Sequence, residues 1–115
     1  MATNVSDNVK SQMRKGFLEY SVLLSLEKGE AYALDIMETL SKGGFEIVEG
    51  TLYPLLTRLK NNGLLGYNWK ESTQGPPRKY YCLTEDGSAA LAEMETAYKE
   101  ITDMIKFIKN CSKTE

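Results

Sequence analysis

The chain has 115 residues, 42% of them apolar, and is long enough to fold as a single globular domain around one core. It has no histidine, and its two cysteines, Cys82 and Cys111, lie far apart. A histidine-based catalytic triad is therefore excluded, and a metal site is not expected. No apolar run approaches the roughly 20 residues of a membrane span, and the first residues contain no apolar signal core. We expect a cytoplasmic protein without a cofactor.

The net charge of −2 is unevenly distributed along the chain. Residues 1–45 sum to −1 and residues 83–115 to −3, whereas residues 46–82 carry five basic and three acidic side chains and sum to +2. A positive segment in an acidic chain indicates that one face can meet an anionic partner while another faces solvent. The excess is small, and by itself it does not identify the partner.

Two helices are predicted before residue 45. Apolar side chains spaced by three and four residues predict one amphipathic helix from about Val5 to Lys28. Gly29 can adopt the left-handed conformation that ends a helix, and we expect it to end this one. A second, short helix with the same spacing is expected to stop at Gly43-Gly44, and residues 45–48 are expected to form an extended link.

The segment after residue 48 is the most informative part of the chain. A stripe of leucines predicts a third helix from Gly50 to Asn62, and Pro54 is expected near its first turn, where backbone N–H groups have no helical partner. Two strands follow, over 64–72 and 78–83, joined by a proline-containing turn at 74–77. A polar-faced helix followed at once by a hairpin with basic residues at its tip is the arrangement of a winged helix. We therefore predict an α+β, mainly α fold, a winged helix-turn-helix with a long C-terminal helix.

The last helix is expected to occupy residues 85–115, with the Thr84 hydroxyl as its N-terminal cap. It carries an unbroken heptad seam with spacings 3-4-3-4-3, longer than a small domain needs to cover its own core. The seam consists of Leu91, Met94, Tyr98, Ile101, Ile105 and Ile108. We predict that these residues mediate dimerisation, while residues 1–84 form the winged helix-turn-helix unit of the same compact body.

Two groups of polar and basic residues suit contact with a DNA duplex. A helix-turn-helix places its second helix in the major groove, where short side chains reach base edges and basic ones meet phosphate. In the third helix these residues are Thr51, Tyr53, Thr57, Arg58 and Lys60. In the hairpin, Arg78 and Lys79 follow two prolines and can reach phosphate or the minor groove. Either group alone could be an ordinary solvated surface, but their succession favours DNA. Trp69 is interpreted as pinning the wing to the body, with its N–H as the alternative contact for a partner.

The sequence resembles the PadR family of bacterial winged helix-turn-helix transcriptional regulators, in particular its members with a short C-terminal region. The resemblance covers nearly the whole chain and rests on MRKGFLEYSVLLSL, AYALDIMETL, EGTLYPLLTRLKNNGLL and GPPRKYYCLTEDG. The last two segments are specific in combination. Ala33 departs from the family pattern, which usually has glycine after the tyrosine, and this departure is not expected to change the fold.

The resemblance implies a homodimer in which the C-terminal helix packs against the first helix. It implies that Gly50–Asn62 is the recognition helix, and that two such helices read an inverted repeat with half-sites about 34 Å apart. The DNA contacts carried over from the family are Lys15, Thr51, Tyr53, Arg58, Arg78 and Lys79.

A ligand site is also implied by the resemblance. Some short relatives bind planar aromatic or drug-like molecules in a cleft between the two C-terminal helices. Tyr98 matches the aromatic position of that cleft, with Met13, Met94 and Ile101 as its walls. Heptad packing alone also accounts for Tyr98, so a place in the dimer core with its hydroxyl in water stays the alternative.

These observations predict a homodimeric repressor that occludes a promoter and is released by a small molecule. The alternative is a winged-helix module that binds protein instead of DNA. An enzyme is not expected, because histidine is absent and no paired carboxylates or glycine-rich phosphate loop accompany a nucleophile. Repression and activation use the same DNA-binding head, so activation stays the alternative to repression.

Overall fold

The computed structural model describes residues 2–73 and 75–111. The elements within these ranges are α1 (Ala2–Lys15), α2 (Leu18–Ser25), β1 (Ala31–Tyr32), α3 (Ala33–Lys42), α4 (Glu49–Asn61), β2 (Leu65–Ser72), β3 (Gly75–Leu83) and α5 (Glu85–Cys111). The strands form one antiparallel sheet with the order β1-β3-β2. The predicted α+β, mainly α winged helix-turn-helix is confirmed, with α3 and α4 as the helix-turn-helix and β2–β3 as the wing. Met1, Gln74 of the predicted turn and residues 112–115 of the predicted last helix lie outside the described residues.

The hydrophobic core lies between α2, α3 and α4 and is closed by the sheet and the start of α5. The leucine stripe of α4, at positions 52, 55, 56 and 59, is buried along its whole length, as helical spacing requires for a single inward face. Leu23 of α2 and Ile36 of α3 are fully buried against this stripe. Each such side chain contributes about 1.5–3 kcal/mol to folding, so the outer face of α4 is supported by a well-packed core.

The prediction of one helix from Val5 to Lys28 was wrong. The chain forms two helices separated at Gly16-Phe17, where the backbone N–H groups bond to the carbonyls of Met13 and Arg14 in a tighter turn. Glycine costs about 1 kcal/mol in a helix interior, which favours a break at this position. The second helix ends at Ser25, and Gly29 lies in the turn that leads to β1. The apolar spacing continues through the break and so conceals it.

The two helices of the helix-turn-helix, α3 and α4, end in the same way. Gly44 follows α3 and Gly63 follows α4, each with a positive φ. The next N–H groups, of Phe45 and Leu64, donate to Leu40 and Leu59 at 2.8 and 3.0 Å. These hydrogen bonds satisfy carbonyl groups in the last turn of each helix that would otherwise have no partner. The predicted stop signals after both helices are confirmed, as is the link over 45–48, which contains no strand.

Pro54 lies deeper in α4 than predicted. The helix begins at Glu49, so Pro54 is its sixth residue and lies in the second turn. Proline cannot donate to the carbonyl four residues earlier, and its ring crowds that carbonyl. The residue at that position is Gly50, which is exposed and has open space around it. The first turn of α4 therefore tolerates the proline because its carbonyl can reach water.

The two prolines of the wing lie inside a strand, contrary to the prediction of a turn at 74–77. β3 begins at Gly75, and its pairing with β2 shifts by one residue between Lys70 and Ser72, which marks a bulge. Pro76 and Pro77 are the two residues of β3 that oppose Glu71 alone, so they form this bulge. They also lie beyond the reach of β1, which pairs only with Tyr80 and Tyr81. Missing N–H groups break no ladder bond at such a position. Arg78 and Lys79 consequently lie about 10 Å back from the turn, and their placement at the tip was wrong.

β1 was not predicted, because two residues are too few to show an alternating pattern. Its pairing with β3 attaches the wing to the body just before α3. At the other end of the sheet, Thr84 caps α5 as predicted: the Gly87 N–H donates to its hydroxyl at 2.9 Å, and that hydroxyl donates to the Gly63 carbonyl at 2.6 Å. A Cβ on Gly87 would overlap the Leu64 carbonyl oxygen. The end of α4 and the start of α5 therefore meet at a joint that only glycine fits.

α5 extends beyond the rest of the fold. Its 27 residues span about 40 Å, and only its first half packs on α2 and β3 in the same chain. The radius of gyration is 17.3 Å, whereas a compact domain of this size has about 13 Å. In the part of the chain that the structure describes, no helix is long and apolar enough to cross a membrane.

Candidate nucleic-acid interface

The outer face of α4 presents the residues that were predicted to meet DNA. The leucines occupy the inner face, so the remaining helical positions face solvent. Thr51, Tyr53, Thr57, Arg58 and Lys60 are all exposed. The face carries short hydroxyl side chains near the start of the helix and basic ones in its last turn.

A cleft of about 400 Å³ separates α4 from the wing. One side is formed by Tyr53 and Thr57 of α4, and the other by Trp69, Arg78 and Lys79 of the wing. The floor comes from the start of α3 and from Tyr81, which is buried. The fold thus brings Tyr53 and Thr57 of the helix together with Arg78 and Lys79 of the wing, which lie more than 20 positions later in the sequence.

The two basic residues of β3 belong to opposite faces of the wing. Successive residues of a strand alternate between faces, and Lys79 pairs with Trp69 whereas Arg78 pairs with Lys70. The Lys79 Nζ lies 4.4 Å from the ring centroid of Tyr67, and the Arg78 guanidinium carbon lies 4.5 Å from that of Tyr32. Contacts with aromatic rings hold both cations near the cleft. The two side chains therefore lose little additional conformational freedom when a partner binds.

Trp69 does not pin the wing to the body. Its side chain is 62% exposed, and the anchoring is done instead by Tyr81, which is 5% exposed, and by the half-buried Tyr67. Burial raises the pKa of the Tyr81 phenol, which keeps it neutral in the core. The interpretation of Trp69 as a packing residue was wrong, because a strand pattern does not reveal where the core beneath it ends.

A second cleft, of about 230 Å³, lies where the break between α1 and α2 meets α4. It is lined by Lys15, Thr51 and Arg58, so three predicted DNA contacts share this side of the molecule. Arg58 also pairs with Glu19 of α2, with Nη2 to Oε1 at 3.6 Å. Such exposed pairs contribute at most about 1 kcal/mol, so a phosphate or base can displace Glu19. Sequence reasoning missed Glu19, because its partner lies 39 positions away.

The wing is tied to the loop before β1 by an ion pair between Lys70 and Glu30. The hydrogen bond from Lys70 lowers the pKa of the Glu30 carboxyl, and Glu30 in turn raises the pKa of the Lys70 ammonium. Lys70 Nζ also lies 5.0 Å from the Tyr80 ring centroid. This basic residue is thereby occupied in holding the wing rather than facing the cleft.

The predicted dimerisation seam divides into two parts. Leu91 is 3% exposed and belongs to the core of its own chain, and Met94 packs at the edge of that core. Tyr98 packs on Phe17, just before α2, and on Tyr20 of α2, with ring centroids 6.0 and 5.9 Å apart. The members that remain largely exposed are Tyr98, Ile101, Ile105 and Ile108, accompanied by Met104 and Phe107.

The residues predicted to bind a ligand are partly brought together within one chain. Met94, Tyr98 and Ile101 line a cavity of about 180 Å³ against Phe17 and Tyr20. Met13 does not line it and is 63% exposed on α1. A cavity of this size is smaller than the sites that usually hold drug-sized molecules, so a larger site would need walls from a second chain. No group of metal-binding side chains is found among the described residues.

A helix-turn-helix flanked by a basic, aromatic wing defines the class of winged helix-turn-helix DNA-binding proteins. Residues 22–93 match the model of the transcriptional regulator PadR-like family, which is more than half of the chain. The protein therefore belongs to the PadR-like family, and the resemblance noted from its sequence is confirmed.

Solved structures and a further relative agree with this assignment. The chain is 58% identical to a PadR-like transcription factor from Bacteroides fragilis, with a TM-score of 0.75 over 88% of this chain and 98% of that one. A PadR family regulator from Eggerthella lenta is 30% identical, with a TM-score of 0.85 over 99% and 97% of the two chains. The transcriptional regulator Rv3488 of Mycobacterium tuberculosis is 30% identical over 78% of this chain and 83% of its own length. The protein is thus a DNA-binding transcriptional regulator and not an enzyme.

Proposed function

We propose that the protein is a homodimeric repressor that binds an inverted-repeat operator and is released by a small molecule. Residues 1–84 serve as the DNA-binding unit and residues 85–115 as the dimerisation helix, and the protein acts in the cytoplasm, where its DNA lies. The observation that carries the proposal is the pairing, in one chain, of a DNA-reading face with an apolar helix that its own fold leaves uncovered.

Support for the dimer comes from the second half of α5. Ile105 is 42% exposed and Phe107 is 68% exposed, on a helix that extends past its own core. Contiguous apolar surface of this kind is costly in water and marks an interface. A heptad seam packs best against another helix, and the exposed Val9 and Met13 of α1 offer an apolar surface of the same kind. A two-fold dimer built on these helices presents two α4 helices to one duplex.

The roles of the DNA contacts follow from their positions. Tyr53 and Thr57 line the cleft between α4 and the wing, and Thr51 lines the second cleft near the start of α4. From these positions the three side chains can reach base edges. Arg58 can form a bidentate contact with guanine once Glu19 is displaced. The remaining basic residues, Lys15, Lys60, Arg78 and Lys79, are placed to meet phosphate on either side of the groove.

Release by a ligand has a physical route in the contacts of α2. Phe17, just before this helix, and Tyr20 within it touch Tyr98 of the dimerisation helix, and Glu19 between them pairs with Arg58 of the recognition helix. A molecule that rearranges Tyr98 therefore displaces the helix that supports Arg58. The ligand acts only through its different affinity for the DNA-binding and released geometries of the dimer. Met94 and Ile101 beside Tyr98 supply apolar walls for a planar molecule.

The proposal is tested by selecting genomic fragments on the immobilised protein and transcribing the selected promoters in vitro. We expect the fragments to share an inverted repeat with half-sites one helical turn apart, and transcription to fall as protein is added. Fragments without a common motif would support the protein-binding alternative. Transcription that rises with added protein would contradict repression while preserving the DNA-binding role.

A further inference from the structure

We propose that Trp69 contacts the DNA backbone beside the wing, packing its indole on a deoxyribose and donating its Nε1–H to a phosphate oxygen. The inference rests on the proposed DNA-binding face and adds to it a contact of a different chemistry. The basic residues of that face supply charge, whereas Trp69 supplies apolar area and one neutral donor.

The exposure of Trp69 is unusual for its place in the sheet. On the same face of β2, Leu65 is buried and Tyr67 is half-buried, so burial decreases steadily toward Trp69. The residue nevertheless lies in the regular part of the ladder, paired with Lys79 before the bulge begins. An ordered strand thus presents the largest side chain of the chain to solvent, and the core gains little from it.

The surroundings of Trp69 favour an anionic partner. The Lys79 Nζ lies 5.4 Å from the indole centroid, and the Tyr67 ring meets the indole at 87° with centroids 6.3 Å apart. Tyr67 and Lys79 therefore hold the indole upright and place a positive charge next to it. Trp69 also lines the cleft opposite Tyr53 and Thr57 of α4. A duplex that reaches this face of α4 brings its phosphates past the indole.

The position along the wing favours the backbone over insertion between bases. A side chain that unstacks a base step has to enter the minor groove between two base pairs. Trp69 lies on the flank of the hairpin, where a strand can run along the sugar-phosphate chain. An indole has an apolar body and a single donor, which matches an apolar deoxyribose next to a phosphate acceptor.

The test uses Trp69 as its own probe, because it is the only tryptophan in the chain. The intact protein is titrated with the operator and with an unrelated duplex, while tryptophan emission and the anisotropy of labelled DNA are both followed. We expect the emission to change and to saturate together with the anisotropy. Trp69→Ala should weaken binding to both duplexes by a similar factor of about 10, because the contact carries no sequence information.

Two further variants make the result specific. Trp69→Phe keeps the ring but removes the donor, and we expect it to weaken binding by about 3-fold. Leu24→Ala truncates another exposed apolar residue, on α2, and should leave affinity unchanged. Circular dichroism of each variant verifies folding, and the phenylalanine variant keeps the test valid even if the alanine variant is unstable.

The outcomes separate this inference from the proposed function. Tight operator binding with unchanged emission and full affinity in both Trp69 variants would overturn the contact and leave the DNA-binding role intact. Weakened binding to the operator alone would also overturn it, because the residue would then read bases. Failure of the unmodified protein to bind any duplex would instead contradict the proposed function.

Discussion

The reading face of the molecule and the second half of α5 differ in how their side chains are held. On the reading face, Arg58 pairs with Glu19, Lys79 lies on the Tyr67 ring, and Arg78 lies on the Tyr32 ring. In the second half of α5, Ile105 and Ile108 lie largely exposed on a helix that extends beyond the core. The side chains of the reading face already have partners within the chain, whereas the apolar side chains of the second half of α5 largely lack such cover among the described residues.

This difference shows which partner each surface needs. Polar side chains that already have weak partners can exchange them for DNA without reorganising the fold, as preorganised binding requires. Exposed apolar side chains stabilise a protein only when another surface covers them and removes them from water. We infer that dimerisation completes the stability of the fold, while DNA binding uses a surface that the fold has already formed.

The largest expected effect comes from breaking the joint where the end of α4 meets the start of α5. In Gly87→Ala the new Cβ meets the Leu64 carbonyl oxygen, which is backbone and cannot move aside. We expect the free energy of unfolding to fall by about 3 kcal/mol or more, measured by urea denaturation. Gly50→Ala is the matched control, because a Cβ there has open space around it, and its stability should change by less than about 1 kcal/mol. Equal stability of the two variants would contradict the joint.

The next effect removes only the apolar surface of α5. Ile105→Asp places a charge in the proposed interface, and burying two such charges in a two-fold dimer is strongly unfavourable. We expect dimer affinity to fall at least about 100-fold in sedimentation equilibrium, with operator affinity falling as a consequence. Thr96→Asp adds the same charge on the exposed side of the same helix and should leave the dimer intact. An unchanged sedimentation profile for Ile105→Asp would remove the seam from the interface.

A smaller effect is confined to the reading face. Arg58→Ala should weaken operator binding about 10-fold to 100-fold without altering the dimer, because it removes one base or phosphate contact from each half-site. Lys28→Ala removes an exposed positive charge from the turn after α2, where it lines neither cleft of this face, and controls for overall charge. Normal operator affinity of Arg58→Ala, measured by anisotropy, would remove Arg58 from the interface.

The Arg58 ion pair sharpens this result. Glu19→Gln releases Arg58 from its partner in the free protein, so operator affinity should rise by up to about 5-fold, the factor that corresponds to a weak exposed pair. Glu27→Gln removes one acidic side chain from the turn that follows the same helix and should have no such effect. An equal rise in both variants would mean that general charge, rather than the pair, is responsible.

The smallest effect concerns the attachment of the wing and depends on pH. Lys70 lowers the pKa of Glu30, so the contribution of this pair is present above the ordinary glutamate pKa of about 4.3 and is lost as pH falls through the lowered value. Glu30 raises the pKa of Lys70, so the contribution is also lost as pH rises through that raised value. We expect faster amide exchange of β3 at low pH relative to the body, and no such pH-dependent difference in Glu30→Gln.

Sequence patterns predicted the elements that a single stretch of chain determines. The leucine stripe of α4, the glycines after α3 and α4 and the Thr84 cap all depend on neighbours within a few residues. The patterns failed where the answer depends on distant parts of the fold. The break at Gly16 was hidden by continuous apolar spacing, and the two residues of β1 are a strand only because β3 lies beside them. The prolines of β3 were misplaced because only the sheet shows that β1 stops short of them.

The candidate site shows the same division. Sequence reasoning identified the exposed polar residues of α4, since the leucine stripe leaves them no other face. It could not identify Glu19 as the partner of Arg58, or the exposure of Trp69, because both depend on which element packs where.

The central claim is that a dimer reads a specific operator through α4 and the wing. The most direct test is the anisotropy of labelled upstream DNA titrated with the protein in a 20-fold excess of unrelated duplex. The titration is repeated between about 50 and 200 mM salt. Contacts from Lys15, Arg78 and Lys79 of both subunits make at least six phosphate contacts, so we predict binding of two chains per site and a loss of affinity of about 10³-fold over this range. Binding of one chain per site, with equal affinity for the unrelated duplex and little dependence on salt, would contradict the account.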